Sequence, residues 1–324
     1  MIHNIFKLLS MGFIFFIAAC TTYTLEEDKA AYLSLNPSDA LTQNETGSEM
    51  NAFAPNLKIF DAHVATNKIG TPKANADGSV FIDSSMPAFY TTKQTFQIED
   101  RKYTNLIYQV HFSDIPFSLI PYHLSWGKNV GLIFVVTLNE QQQPVLFTTA
   151  HTCGCYMAML GTSFTPESFF PNDWNELNSL QKVYGENLPH VVELSQEKPD
   201  ICVAIKPHVH RIMDVFPCDK SKTNTQGAQQ FPLQSLRTLE SENGPVSFFY
   251  EDGFKEGLVK GAIKPWESMF LSWPSLDPFV GTDKAFLKNA DSKRSFYTSI
   301  KPWRREISDM TNFPRFLEYW GWKL

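Results

Sequence analysis

Apolar and polar positions alternate most clearly along Leu106-Ile107-Tyr108-Gln109-Val110-His111-Phe112, where Leu106, Tyr108, Val110 and Phe112 fall on one face of an extended chain. A period of two marks a strand with one face turned to a core. Gly131 to Leu138 (GLIFVVTL) is apolar on both faces, which predicts a central strand covered on each side. Glu140 to Gln143 and Pro144 then turn the chain into Val145 to Thr149, the second arm of an antiparallel hairpin. Other runs rich in Val, Ile, Phe, Tyr and Thr predict strands at Val80 to Asp83, Thr95 to Glu99, Tyr103 to Phe112, Ser118 to Ser125, Val130 to Leu138 and Val145 to Cys155. Val191 to Leu194, Ile201 to Lys206, Val209 to Phe216 and Val246 to Glu251 continue the series, with Glu251-Asp252-Gly253 as a turn.

Helical spacing shows in two places. Thr165 before Pro166 and Glu167 marks one helix start, and Trp174, Leu177 and Leu180 recur within Asp173 to Tyr184. Near the C-terminus Ile307, Met310, Phe313, Leu317 and Trp320 recur at threes and fours, with Pro314 in a first turn capped by Thr311 or Asn312. The expected fold is therefore α+β and β-rich: a mostly antiparallel sheet with a helical insertion and a C-terminal helix, in a single domain over residues 56–324.

Leu8 to Ala19 (LLSMGFIFFIAA) is apolar without alternation and follows Lys7, the positive-then-apolar order of an export signal. A bilayer-crossing helix needs about 20 apolar residues, and this run is too short. It ends in Ile17-Ala18-Ala19-Cys20, which resembles the lipobox of bacterial lipoproteins. The resemblance covers residues 1–20 only. It implies that residues 1–19 are a signal peptide, cleaved before Cys20, and that Cys20 is acylated on its sulfur and its new amino group. Two or three acyl chains on one residue anchor stably. Thr21 stands where, in that class, an aspartate favours retention in the inner membrane. The expected location is the outer membrane, lipid-anchored and facing the periplasm. Residues 20–55 are polar, with Glu26, Glu27, Asp28, Asp39, Glu45 and Glu49 against Lys29, and predict a tether. Within it, Thr24 and Glu27 form a capping box for a short helix through Leu35, ended by Asn36-Pro37.

Composition narrows the partners. Loss of residues 1–19 removes Lys7 and no acid, so 28 basic residues become 27 against 34 acidic ones, a net charge of −7. That balance argues against nucleic acid, whose binding normally shows a basic patch. The expected partners are the membrane, through the lipid, and an envelope protein or a small ligand, in a binding or assembly role. Aromatic residues make up 14% of the chain, including 27 Phe, ample for a large core.

One constellation carries candidate chemistry. His151-Thr152-Cys153-Gly154-Cys155 closes one predicted strand, and Pro207-His208-Val209-His210 opens another. Residues two apart on a strand point the same way, so His151, Cys153 and Cys155 line one face, and His208 and His210 line a face of the second strand. If those strands adjoin, five residues converge that suit a zinc or copper site or a redox centre. His151 and Cys155, about 13 Å apart on an extended chain, then share an ion only if Gly154 bends it. Against a metal stands the compartment, where thiols pair. Cys153, Cys155, Cys202 and Cys218 allow three connectivities. An extended Cys153-Gly154-Cys155 holds its Cβ atoms about 6.5 Å apart, too far for a bridge, unless Gly154 turns; Cys202 and Cys218 bridge to each other or across to the first strand. The alternative is an envelope enzyme with Cys153 or Cys155 as nucleophile and His151, His208 or His210 as base. No nucleophile elbow, zinc-protease helix, phosphate loop or dinucleotide fingerprint occurs. Lys301-Pro302-Trp303-Arg304-Arg305 reads as a solvated approach with Trp303 packed inward, and Tyr319-Trp320-Gly321-Trp322 as C-terminal packing.

Overall fold

The computed structural model describes residues 39–43, 49–172, 174, 180–219, 225–286 and 294–324, with backbone alone at 39–43 and 225–226. Cys20, the leader and the Thr24 to Leu35 helix lie outside the described residues. In chain order the elements are β1 (Asp39–Gln43), α1 (Glu49–Ala52), β2 (Asn56–Ile59), β3 (Ile69–Ala74), β4 (Val80–Asp83), β5 (Ala88–Ile98) and β6 (Arg101–Ile115). Then come β7 (Gly127–Leu138), β8 (Pro144–His151), β9 (Ala158–Thr162), β10 (Leu180–Val183), β11 (Glu186–Pro189), β12 (Val191–Val192) and β13 (Ile201–Ile205). The last are β14 (Ile212–Pro217), β15 (Thr225–Pro232), β16 (Leu258–Ile263), α2 (Pro265–Ser275), β17 (Thr282–Lys284) and α3 (Phe313–Tyr319). The fold is α+β and dominated by strands, most of them antiparallel.

Eleven strands form one path, β12-β9-β8-β7-β6-β5-β15-β1-β2-β13-β14, and β3 joins through β6 and carries β4. Its centre is the antiparallel meander β5 to β9, with Tyr108 opposite Phe134 and Val135 opposite Thr148. The sheet curls until its last strand, β14, reaches β12 and the separate β10–β11 hairpin. Lys206, beyond β13, and Glu186 of β11 fasten that closure with an ion pair at 2.8 Å, and Arg211 donates to the Tyr184 carbonyl at 2.8 Å. Asp39–Gln43, within the stretch expected to be tether, pairs with β2 and β15.

The period of two decides which residues meet. Leu106, Tyr108, Val110 and Phe112 share the enclosed face with Leu132, Phe134, Val136, Phe147, Val203 and Ile205. The opposite face of the same strands presents Ile107, Ile133, Val135 and Leu146, and the C-terminal third of the chain covers it with Phe248, Phe286, Phe296, Phe316 and Trp322. Each such fully buried side chain contributes about 1.5–3 kcal/mol by leaving water.

Several expected elements differ. The helix expected over Asp173 to Tyr184 has its first half outside the described residues, and its second half is strand β10. Tyr184 and Gly185 have φ of 49° and 93°, the two left-handed residues of a tight hairpin turn, so the chain reverses into β11. Residues 165–172 hold a single 3-10 turn, Glu167–Phe169, and no helical insertion forms there. Ser118 to Ser125 is a loop joining β6 to β7, with one bridge between Leu119 and Tyr122; Pro116 and Pro121 cannot donate to a ladder. Val246 to Glu251 makes only isolated bridges. The C-terminal helix starts at Phe313 with Pro314 in its first turn. Trp322 is buried as expected, but Trp303 is 75% exposed, because a 3-10 turn at Pro302–Arg304 carries it outward.

The spacing of apolar residues predicts no helix over Pro265–Ser275, because the polarity of α2 is inverted. Glu267 and Ser275 are its buried residues, whereas Met269, Phe270 and Trp273 are exposed.

Cys202 and Cys218 form a disulfide that ties β13 to the end of β14 across a separation of 16 residues. Closing a loop of that size stabilises by about 3 kcal/mol. Replacing both cysteines by alanine is expected to lower stability by that amount in urea titration; an unchanged midpoint would show that the bridge does not constrain the chain.

Candidate functional site: a buried dithiol and its ionic surround

Strand β8 ends at His151, and Thr152 stays tied to β7 by its amide, 2.9 Å from the Gly131 carbonyl. The chain then turns sharply. Gly154 donates to the His151 carbonyl at 2.8 Å, and His151 donates to the Cys155 carbonyl at 3.0 Å. Gly154 has φ of +83°, and a Cβ there would stand 2.0 Å from the Tyr297 carbonyl oxygen, so the turn admits glycine alone. The bend brings the two thiols together: the Cys155 amide points at Cys153 Sγ, 3.4 Å away. Both cysteines are free; Cys153 is buried and Cys155 is partly exposed.

A carboxylate from a distant part of the chain joins them. The sulfurs of Cys153 and Cys155 and a carboxylate oxygen of Glu267 lie within 4.8 Å of one another. Glu267 sits in the first turn of α2 and is 1% exposed. Tyr156 donates its hydroxyl to Glu267 Oε1 at 2.9 Å, while Oε2 is buried with no hydrogen-bond partner among the described residues. Burial raises the Glu267 carboxyl above the usual range, against the opposing pull of Lys264.

Two lysines, both 1% exposed, stand around this group. Lys264, just before α2, pairs with Asp283 of β17. The other oxygen of Asp283 accepts from the Thr152 hydroxyl and from the Gly131 amide, the latter at 2.9 Å. Burial works against the Lys264 ammonium, but Asp283 outweighs it and holds the pKa above its ordinary value. Lys284 donates to the Cys153 carbonyl and lies 4.0 Å above the Tyr297 ring; burial lowers its pKa. Burial also resists ionisation of Cys153, yet the Cys155 hydrogen bond and Lys264 prevail and hold this thiol below its ordinary value. Cys155 is raised, first by its hydrogen bond with Cys153 and then by burial.

The histidines do not enter this group. His208 and His210 lie in the Lys206–Arg211 turn joining β13 to β14, with φ of 65° and 55°, so they do not open a strand or share a strand face. Nor is β13 or β14 a neighbour of β8 in the sheet. The sheet's curl nevertheless brings the segments together: His151 Nε2 lies 3.2 Å from the His210 carbonyl oxygen. The His210 ring stacks on Phe112 with centroids 3.9 Å apart, and the His208 amide donates to Asn67 Oδ1 at 2.7 Å. Among the described residues, the donor set is thus Cys153, Cys155 and Glu267, not the cysteines with His151, His208 and His210. No local pattern announces Glu267, Lys264, Asp283 or Lys284, which lie more than a hundred residues downstream of the dithiol.

Burial gives the histidines a different consequence. It pushes His111 from 6.5 to about 4 and His210 to about 3. Gln109 Nε2 donates to His111 Nε2 at 2.9 Å, as a neutral imidazole allows. The unfolded chain takes up these protons below about 6.5 and the folded chain does not. Stability present above pH 6.5 is therefore lost as pH falls towards 4, on the order of 3 kcal/mol per group. Urea midpoints measured from pH 7 to pH 4 check this; a flat profile would contradict it.

No family model, curated protein or solved structure matches the chain.

Proposed function

We propose that the protein is a lipid-anchored protein of the bacterial outer membrane, whose periplasmic body binds a soft metal ion, zinc or copper(I), through Cys153, Cys155 and Glu267. The observation that carries this reading is the convergence of two sulfurs and a carboxylate oxygen within 4.8 Å of one another, on a buried carboxylate whose Oε2 has no hydrogen-bond partner among the described residues. A buried carboxylate oxygen left without a hydrogen bond is costly, and a cation supplies the missing partner. Zinc holds thiolate sulfur at about 2.3 Å and carboxylate oxygen at about 2.0–2.2 Å, which these donors reach with small side-chain movements. Three protein donors leave a fourth position for water or a ligand. The Lys264–Asp283 pair and Lys284 surround the donors and fix the Cys153 carbonyl and Thr152, so the turn is held before the ion arrives. The outer-membrane setting rests on the lipobox at Ile17 to Cys20, and the Cys202–Cys218 bridge suits an oxidising compartment.

The test is metal content with thiol counting on purified protein. One equivalent of zinc or copper is expected, with affinity lowered at least tenfold by Glu267→Gln and abolished by Cys153→Ser. Protein that takes up neither ion under reducing conditions would sink the reading. A second reading, a cysteine nucleophile, is favoured by the two buried ammonium groups beside Cys153. Under it, metal-free protein carries one thiol that iodoacetamide alkylates fast at neutral pH, and Lys264→Met slows that reaction.

A further inference from the structure

Helix α2, which turns Glu267 toward the dithiol, turns its other side outward. Met269, Phe270 and Trp273 are 57%, 40% and 85% exposed, against the helical habit of hiding such residues. Beside them the Pro116 to Trp126 loop presents Phe117, Leu119 and Ile120 at 52%, 61% and 90%. Trp266 joins the two groups, its ring 6.4 Å from Phe117 and 5.9 Å from Phe270. Exposed cations stand nearby in the chain with acids among them: Lys128, just past Trp126, is opposite Asp114 in the β6–β7 ladder, and Lys301 and Arg304 flank the exposed Trp303 ahead of Glu306. That segment is fixed to α2 by Arg305, which donates to the Ser275 carbonyl.

We propose that this surface lies on the lipid leaflet, with the aromatic and aliphatic tips in the interfacial region and the cations against headgroup phosphates. Aromatic rings with neighbouring Lys and Arg are the composition that interfaces of membranes favour. The choice of a leaflet over a protein rests on the lipid-anchored reading above and on where the chain enters the fold. Strand β1 begins at Asp39, opposite Ile59 of β2, and Ile59 pairs with Ile205 of β13. Lys206 to Arg211 follows, and the His208 ring there lies 6.4 Å from that of His123, in the loop that carries Ile120. The anchored end of the chain and the patch are thus at one end of the body. Residues 21–38 separate Cys20 from β1 and span at most about 60 Å, so the anchor joins the body at the end that carries the patch. The dithiol then sits one helix away from the leaflet.

The test uses the mature chain, residues 20–324 with Cys20→Ser, so that no acyl chain contributes. It is mixed with vesicles of phosphatidylethanolamine and phosphatidylglycerol. The expected result is co-sedimentation, with tryptophan emission shifted to the blue and quenched by brominated acyl chains. Ile120→Glu with Trp273→Glu, both at exposed positions, is expected to weaken partitioning at least tenfold with an unchanged circular dichroism spectrum. Failure of the parent chain to bind, or equal binding by the double variant, overturns the proposal. So does vesicle-free self-association that the double variant abolishes, which would assign the surface to a second copy. The mass of the Cys20 peptide from cells reports the anchor separately: acylated Cys20 with no vesicle binding refutes the patch alone, and vesicle binding with bare Cys20 supports the patch and refutes the anchor.

Discussion

Asp283→Ala is expected to destabilise the fold by about 3–5 kcal/mol, the cost of leaving one partner of a buried ion pair without the other. Asp283 is fully buried and meets three donors, the Lys264 ammonium, the Thr152 hydroxyl and the Gly131 amide. Its removal strands an ammonium that is 1% exposed, while the Gly131 amide keeps one acceptor, Thr152 Oγ1 at 3.0 Å. For a body of this size each kcal/mol moves the melting temperature by about 2–4 °C, so a fall of roughly 10 °C is expected in calorimetry. Lys264→Met with Asp283→Leu removes both charges and should recover much of the loss, since well-packed apolar replacements of buried pairs are often neutral. Additive losses in that double variant would mean that the two residues do not act as a pair.

Gly154→Ala is expected to cost about 3 kcal/mol or more and to abolish joint action of the two thiols. Two costs combine: a left-handed backbone at a residue with Cβ, about 1–3 kcal/mol, and a clash with the Tyr297 carbonyl, typically another 1–3 kcal/mol. The clash distance of 2.0 Å leaves no room for a side-chain adjustment, because the obstacle is backbone. Gly78→Ala supplies the comparison. Its φ is +78° but nothing among the described residues lies within 4 Å of the added Cβ, so only the first cost applies. Equal destabilisation of the two variants in urea, or a Gly154→Ala protein whose cysteines still bind metal together, would show that the turn does not govern the site.

The alternation in Leu106 to Phe112 was legible because burial on one face of a strand leaves a local, period-two trace in the residues themselves. The unbroken apolar run of β7 was legible for the same reason, since both faces are covered. The turn after Asn139 and the hairpin into β8 followed from residue type. Helical spacing misled in β10, where two left-handed residues, Tyr184 and Gly185, made a hairpin of a run that also fits a helix. It was silent in α2, where Glu267 faces inward and Trp273 outward, the reverse of the pattern by which helices are recognised.

The chain's own order of residues was enough to specify a β-dominated fold, its central strands, and a pair of cysteines either side of a glycine. Such features are local, and each residue carries its share. Everything that turns the pair into a candidate site came from contacts across long stretches of chain: Glu267 arrives on α2, Asp283 and Lys284 on β17, and the histidines are drawn off into the core and a turn. The reason is geometric. A curled sheet places its ends and its C-terminal cover against β8 according to how many strands lie between them, and that number is a property of the closed sheet, written in no single segment.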